Sequence, residues 1–181
     1  MYKLLVFCSK ILFKIFYTVD VDKKIKLDKN QGYMICSNHI HMFDPVFISC
    51  FTNRQIHYMG KKELFKRKFT NWIFTKVGAF PVDREKPDLN SIRTAVGKLK
   101  DKCVLGVFPE GTRSKTGEMG EFKAGAGLIA LKGNVPIIPV KIEGTYKLFS
   151  KMKLKIGETI YYNGNDREEL TEIIKTAIVN M

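Results

Sequence analysis

Five consecutive residues, Val104-Leu105-Gly106-Val107-Phe108, carry no polar side chain, and an amphipathic segment stands just before them. A strand that is apolar on both faces has to be covered on both, so helices are needed above and below a sheet. The preceding segment, Leu89 to Lys100, spaces Leu89, Ile92, Val96 and Leu99 as one face of a helix. Asp88 ahead of it is suited to accept the first free amide hydrogens of that helix. A helix followed by a buried strand is the repeating unit of a parallel sheet.

The same alternation runs along the chain. Tyr33 to Ser37 reads as a buried strand and Pro45 to Phe51 as a helix. Ile56 to Met59 reads as a strand, Trp72 to Val77 as a helix ended by Gly78, and Ala79 to Arg84 as a short extended segment. Gly125 to Leu131 is a small-residue helix, Val135 to Val140 a strand, and Asp166 to Val179 a closing helix. Ile25 to Leu27 is a short edge strand. The expected fold is α/β: a single domain whose mixed, largely parallel sheet is flanked by helices. Pro136 and Pro139 predict an irregular or edge-pairing position for their strand. Lys151, Lys153 and Lys155 alternate, which predicts a solvent-facing lysine row that discourages edge pairing.

A chain of 181 residues buries roughly 70% of its unfolded surface and needs no disulfide or metal staple. Cys8, Cys36, Cys50 and Cys103 form no C-x-x-C pair and lie among apolar neighbours. They read as small core residues of a reduced, cytoplasmic protein, and none has the setting of a nucleophile. The net charge of +13 points to an anionic partner: nucleic acid, anionic lipid headgroups, or a phosphorylated or acidic carrier.

Met1 to Val19 narrows that choice. Its only charges, Lys3, Lys10 and Lys14, recur along one stripe of a helix, while Leu4, Leu5, Phe7, Ile11, Leu12, Ile15 and Phe16 cover most of the remainder. A helix of this length reaches about 28 Å at 1.5 Å per residue, barely a bilayer core, and two of its lysines lie too deep to reach either surface. Lying in the membrane plane is easier than spanning it; the alternative is packing on the domain's own core. No small-residue cleavage site follows, which argues against a signal peptide. The expected division is a membrane-associated helix over 1–19 and the globular domain over 20–181.

Between two apolar runs lies the polar cluster Ser37-Asn38-His39-Ile40-His41-Met42-Phe43-Asp44-Pro45. Five helical steps of about 100° would leave His39 and Asp44 about 140° apart, so the two side chains can meet only through a turn. A strand ending near Ser37 and a helix starting near Asp44 supply that turn. A carboxylate on the imidazole then fixes its tautomer and raises its basicity, as a general base requires. Asp44 before Pro45 is also what a helix cap looks like. Further along, Glu110-Gly111-Thr112-Arg113 follows the apolar strand and offers a tight turn, a hydroxyl and a planar guanidinium suited to phosphate oxygens. Arg84, at the end of another extended segment, offers a second fork.

Taken together, Asn38-His39 with Asp44, Gly78 through Asp83-Arg84, Phe108-Pro109-Glu110-Gly111-Thr112-Arg113-Ser114, and Val135-Pro136-Ile137-Ile138-Pro139 resemble the four sequence blocks of the 1-acyl-sn-glycerol-3-phosphate acyltransferase family. The likeness covers roughly residues 33 to 145. It implies a glycerol-3-phosphate acyltransferase-like fold, with His39 as general base and Asp44 as its orienting partner. It implies acceptor-phosphate binding by Arg84, Glu110, Gly111, Thr112 and Arg113, with Lys61 resembling a family lysine near the phosphate. His41 stands where the family usually has Ser, and many relatives carry a longer apolar N-terminal region.

The reaction so implied is transfer of a fatty acyl group from an acyl thioester, on CoA or acyl carrier protein, to the free hydroxyl of lysophosphatidic acid. It needs no cofactor and no metal. The resemblance places the protein at the cytoplasmic face of the cell membrane, peripheral or monotopic, against anionic lipids and without nucleic acid. Two rivals read the residues differently. His39, His41 and His57 with a carboxylate have the donors for zinc, but their spacing matches no common site. A basic nucleic-acid or membrane-coating module accounts for the charge and for the basic aromatic passage Phe65 to Phe69, but not for the His, Asp and Glu-Gly-Thr-Arg blocks.

Overall fold

The apolar run centred on Leu105 forms β5 (Val104–Val107), and every residue of it is buried. It pairs in parallel with β2 (Tyr33–Ser37) on one side and β3 (Ile56–Lys61) on the other. The computed structural model of the chain describes residues 1–83, 88–114 and 118–181, so Arg84 and the end of its extended segment lie outside the described residues. With β1 (Thr18–Val21), β4 (Phe80–Val82), β6 (Ile137–Gly144) and β7 (Lys151–Ile156), the described strands make a seven-stranded sheet in the order β1-β7-β6-β2-β5-β3-β4. The neighbours β6-β2-β5-β3-β4 pair in parallel throughout, and β7 turns back antiparallel on β6.

Alternation within each strand sends side chains to two helical layers. Ile35 and Val104 meet α1 (Tyr2–Phe16) and α2 (Asp44–Ser49) through Phe13, Phe47 and Ile48. Met34, Cys36, Leu105 and Val107 meet α4 (Leu89–Lys100), α5 (Gly125–Gly133) and α6 (Arg167–Val179) through Leu99, Ile129 and Ile174. A short 3₁₀ turn over Lys62–Phe65 packs on β4 and leads to α3 (Lys68–Lys76). The expected Asp88 cap forms, its carboxylate accepting from Ser91 N–H, and Asp166 caps α6 in the same way by accepting from Glu168 and Glu169 N–H.

Several expectations are corrected. The proline-bearing strand is not at an edge: β6 lies between β2 and β7. Pro139 is tolerated because it sits at the margin of the β6–β7 ladder, where its carbonyl accepts from Gly157 N–H and its missing N–H interrupts a single bond. The lysines of β7 do not guard an edge either, because β1 pairs along it. Ile25 to Leu27 forms only an isolated bridge, Ile25 to Thr52, with Asn53 bonding both backbone groups of Leu27. Cys8 is exposed rather than in the core, whereas Cys36 and Cys50 are buried.

The N-terminal helix is divided by face. Phe13 is buried, packed edge-on against Phe47 at 5.1 Å, and Lys10 lies over the Phe51 ring. Leu4, Phe7, Leu12 and Ile15 are all more than half exposed. Among the described residues no helix is long and apolar enough to cross a membrane.

Candidate active site

The carboxyl ends of β2, β3, β4, β5 and β6 share one edge of the sheet, where open α/β folds gather their ligands. β2 ends at Ser37, and the chain turns through Asn38 to His41 before α2 starts at Asp44. That turn brings His39 Nδ1 to 2.8 Å from Asp44 Oδ2, both residues buried. The same carboxylate oxygen accepts Ile40 N–H and His41 N–H, each at 2.7 Å. Asp44 therefore faces back into the turn, and α2 has no side-chain cap bond. Because the carboxylate accepts from Nδ1, His39 carries its proton there and Nε2 is the basic nitrogen. Nε2 has no hydrogen-bond partner among the described residues.

Three attachments hold the turn. The Asn38 side chain bonds both backbone groups of Ile142 on β6, donating at 2.9 Å and accepting at 2.8 Å. The His39 N–H donates to Glu110 Oε1 at 2.8 Å, and its carbonyl accepts from Ser114 N–H at 2.8 Å. The imidazole stacks on Phe108, with centroids 4.1 Å apart. Phe108 stacks in turn on Tyr58, whose ring lies over Gly106: a Cβ there would stand 2.1 Å from Tyr58 Cε1. Glycine inside β5 is thus a packing requirement.

Glu110 is buried, with Oε1 on His39 N–H and Oε2 on Gly120 N–H at 2.8 Å. Gly111 follows at φ +72°, which lets the chain turn tightly. A cavity of about 430 Å³ opens beside His39, and its lining includes Phe108, Gly111, Lys123, Asp83 and Ile129. Thr112 and Arg113 are exposed and line a neighbouring depression with Glu118 and Glu121. Lys61, at the end of β3, stands 3.8 Å from the Glu63 carboxylate.

The three histidines have different partners: His39 pairs with Asp44, His41 stacks on Tyr146 at 4.3 Å, and His57 Nδ1 bonds the Gly78 carbonyl. Among the described residues no group of His, Cys, Asp and Glu stands together to hold a metal ion. Burial and the nearby Lys98 charge lower the His57 pKa.

Two residues at this edge were not singled out from the sequence. Tyr146, just past β6, donates its hydroxyl to Asp44 Oδ1 at 2.8 Å. Burial first, then the Asp44 charge, push its phenol far up, so it stays a donor. Lys123 bonds the Pro109 carbonyl through its backbone N–H, and its Nζ lies 3.1 Å from where a Gly111 Cβ would be. No local pattern marks either. The one available signal is topological, that segments following parallel strands converge.

A buried histidine–aspartate pair at the carboxyl edge of such a sheet, beside a cavity, has the parts of a direct acyl-transfer centre. A family model described as Acyltransferase matches residues 18–143, and the chain belongs to that family. It is 38% identical over 167 residues to the 1-acyl-sn-glycerol-3-phosphate acyltransferase of Bacillus subtilis, covering 89% of this chain and 83% of that one. A Streptococcus pneumoniae protein of the same name is 34% identical, over 67% of this chain and 45% of its own. The crystal structure of the 1-acyl-sn-glycerophosphate (LPA) acyltransferase PlsC from Thermotoga maritima superposes with a TM-score of 0.78 at 28% identity, covering 99% of this chain and 78% of that one.

Proposed function

We propose that the protein acylates the free hydroxyl of a 1-acylglycerol 3-phosphate from an acyl thioester, giving phosphatidic acid. The observation that carries this reading is the buried His39–Asp44 pair beside the cavity. His39 Nε2 takes the hydroxyl proton as the acceptor oxygen attacks the thioester carbonyl. Collapse of the tetrahedral intermediate breaks the C–S bond, and the proton passes to the departing thiolate. Asp44 stabilises the imidazolium in between. No Ser or Cys acyl-enzyme is required, and the buried Cys36 thiol, pushed far up by burial, is unsuited to one.

Arg84, Arg113, Thr112, Gly111 and Lys61 are the proposed acceptor-phosphate residues. Lys123 joins them as a cation in the same cavity as His39. Glu110 acts through its two backbone bonds, since a carboxylate has no donor to offer a phosphate. The donor is acyl-CoA or acyl carrier protein, with no resident cofactor. Within residues 1–19 it is α1 that serves a membrane surface carrying anionic lipids, on its cytoplasmic side, since Thr18 and Val19 already belong to β1, and residues 20–181 carry the transfer. The exposed apolar face of α1 and the charge of +13 support that division of labour.

Phosphatidic acid formation by purified wild type and His39→Ala, with each thioester donor and with lysophosphatidate or monoacylglycerol as acceptor, tests the reading. His39→Ala should lose about 10²- to 10⁴-fold in turnover. Near-normal turnover in His39→Ala, or equal wild-type rates on the two acceptors, would overturn it.

A further inference from the structure

Asp44 has a second oxygen, and what holds it lies far away in the chain. Oδ2 is surrounded by three donors of its own turn, whereas Oδ1 receives the Tyr146 hydroxyl at 2.8 Å. Tyr146 is itself held from several sides. Its ring stacks on His41 at 4.3 Å and meets Phe13, Tyr17, Phe43 and Phe47 edge-on or tilted at 5.9 to 6.4 Å. Its carbonyl accepts the Tyr17 hydroxyl at 3.3 Å. A phenol gripped on ring and backbone, with its O–H aimed at one carboxylate oxygen, has little freedom to do anything else. The rings that grip it come from α1 and the segment after it (Phe13, Tyr17) and from the turn and helix that carry the histidine and the aspartate (His41, Phe43, Phe47).

We propose that Tyr146 is a positioning residue for the acyl transfer, fixing the Asp44 carboxylate in the rotamer that meets His39 and linking it to the seat of α1. This rests on the reading of His39 as the base. It also gives His41 a place: the second imidazole packs outside the pair, on the Tyr146 ring, and donates only its backbone N–H to Asp44. The hydroxyl further moderates the carboxylate. A donor on Oδ1 favours the charged carboxylate and weakens its pull on the imidazole proton. Without that donor the carboxylate charge bears more strongly on the imidazole it faces, and the charged ring is held more firmly.

The test is Tyr146→Phe in the full chain, which keeps the ring and removes one oxygen. Turnover should fall about ten- to a hundredfold, the range for losing a hydrogen bond to a charged group, with both KM values within about twofold. The acid limb of the kcat profile should move to higher pH, since a carboxylate without its phenol donor holds the imidazole proton more firmly. The other titratable groups facing the pair or Tyr146 are His41 from the pair's own turn, Tyr17 after α1, Cys50 after α2, Tyr58 from β3 and Glu110 after β5. All are unchanged in this variant. In an Asp44→Asn background the same change should have little further effect, because the two residues act as a unit.

A Tyr146→Phe enzyme with wild-type turnover and an unmoved acid limb would overturn the inference. So would a fall in turnover with the acid limb unmoved and full additivity with Asp44→Asn, the signature of a merely structural ring. Either result, found while His39→Ala remains inactive, leaves the His39 reading intact. An active His39→Ala would instead remove the reading on which the inference rests.

Discussion

Glu110→Gln separates two roles for the acidic residue of the Glu-Gly-Thr-Arg block. In the wild type each carboxylate oxygen accepts one backbone N–H, from buried His39 and from Gly120, both at 2.8 Å. Glutamine is nearly isosteric but offers one acceptor oxygen, so its NH₂ must face the other N–H. One charge-assisted bond is lost and a buried donor is left unpaired, at a cost of about 1–3 kcal/mol. For a chain of this size about 2 kcal/mol lowers the melting midpoint by about 4–8 °C. The displaced group includes the His39 backbone, so turnover should fall more than acceptor KM rises. Thermal unfolding followed by calorimetry, together with steady-state kinetics at varied lysophosphatidate, reads both quantities. An unchanged midpoint and kcat, with the whole effect in acceptor KM, would refute this account and return Glu110 to direct contact with the substrate.

Gly106→Ala should destabilise by about 1–3 kcal/mol through overpacking and lower kcat, because the new methyl displaces Tyr58 and with it the stack from Phe108 to His39. Gly97→Ala is its control: a Cβ there meets nothing within 4 Å, and the α4 interior should gain about 0.5–1 kcal/mol. Equal midpoints for the two variants would contradict the packing argument. Phe7→Asp, on the exposed face of α1, should weaken binding to anionic vesicles in flotation while leaving the midpoint within about 1 °C, as expected of a surface substitution. It is a cleaner test than removing residues 1–19, because that deletion would cut into β1 and uncover Phe47. Unchanged flotation would count against a membrane role for this face.

The local elements and the central pair were legible in the chain because their causes are local. The helix over Leu89–Lys100 and the strand over Tyr33–Ser37 emerge with the bounds that periodicity and caps predict. His39 and Asp44 meet through a turn because a strand ends and a helix begins within a few residues of them. Sheet order is a different matter. Whether β6 lies inside or at the rim depends on what pairs with it, and β7 and β1 close that side from opposite ends of the chain. Thr18–Val21 therefore becomes the edge strand through its partner Lys151–Leu154, which nothing in its own composition announces. The inward turn of Glu110 and the approach of Tyr146 are set across 71 and 102 residues of sequence. Such contacts exist only once the parallel strands have brought their carboxyl ends to one edge. Short spacings marked the histidine and its aspartate as a candidate pair and the resemblance of the surrounding blocks gave them their roles, whereas the glutamate and the tyrosine that hold them in place reach the pair only through the order of the strands.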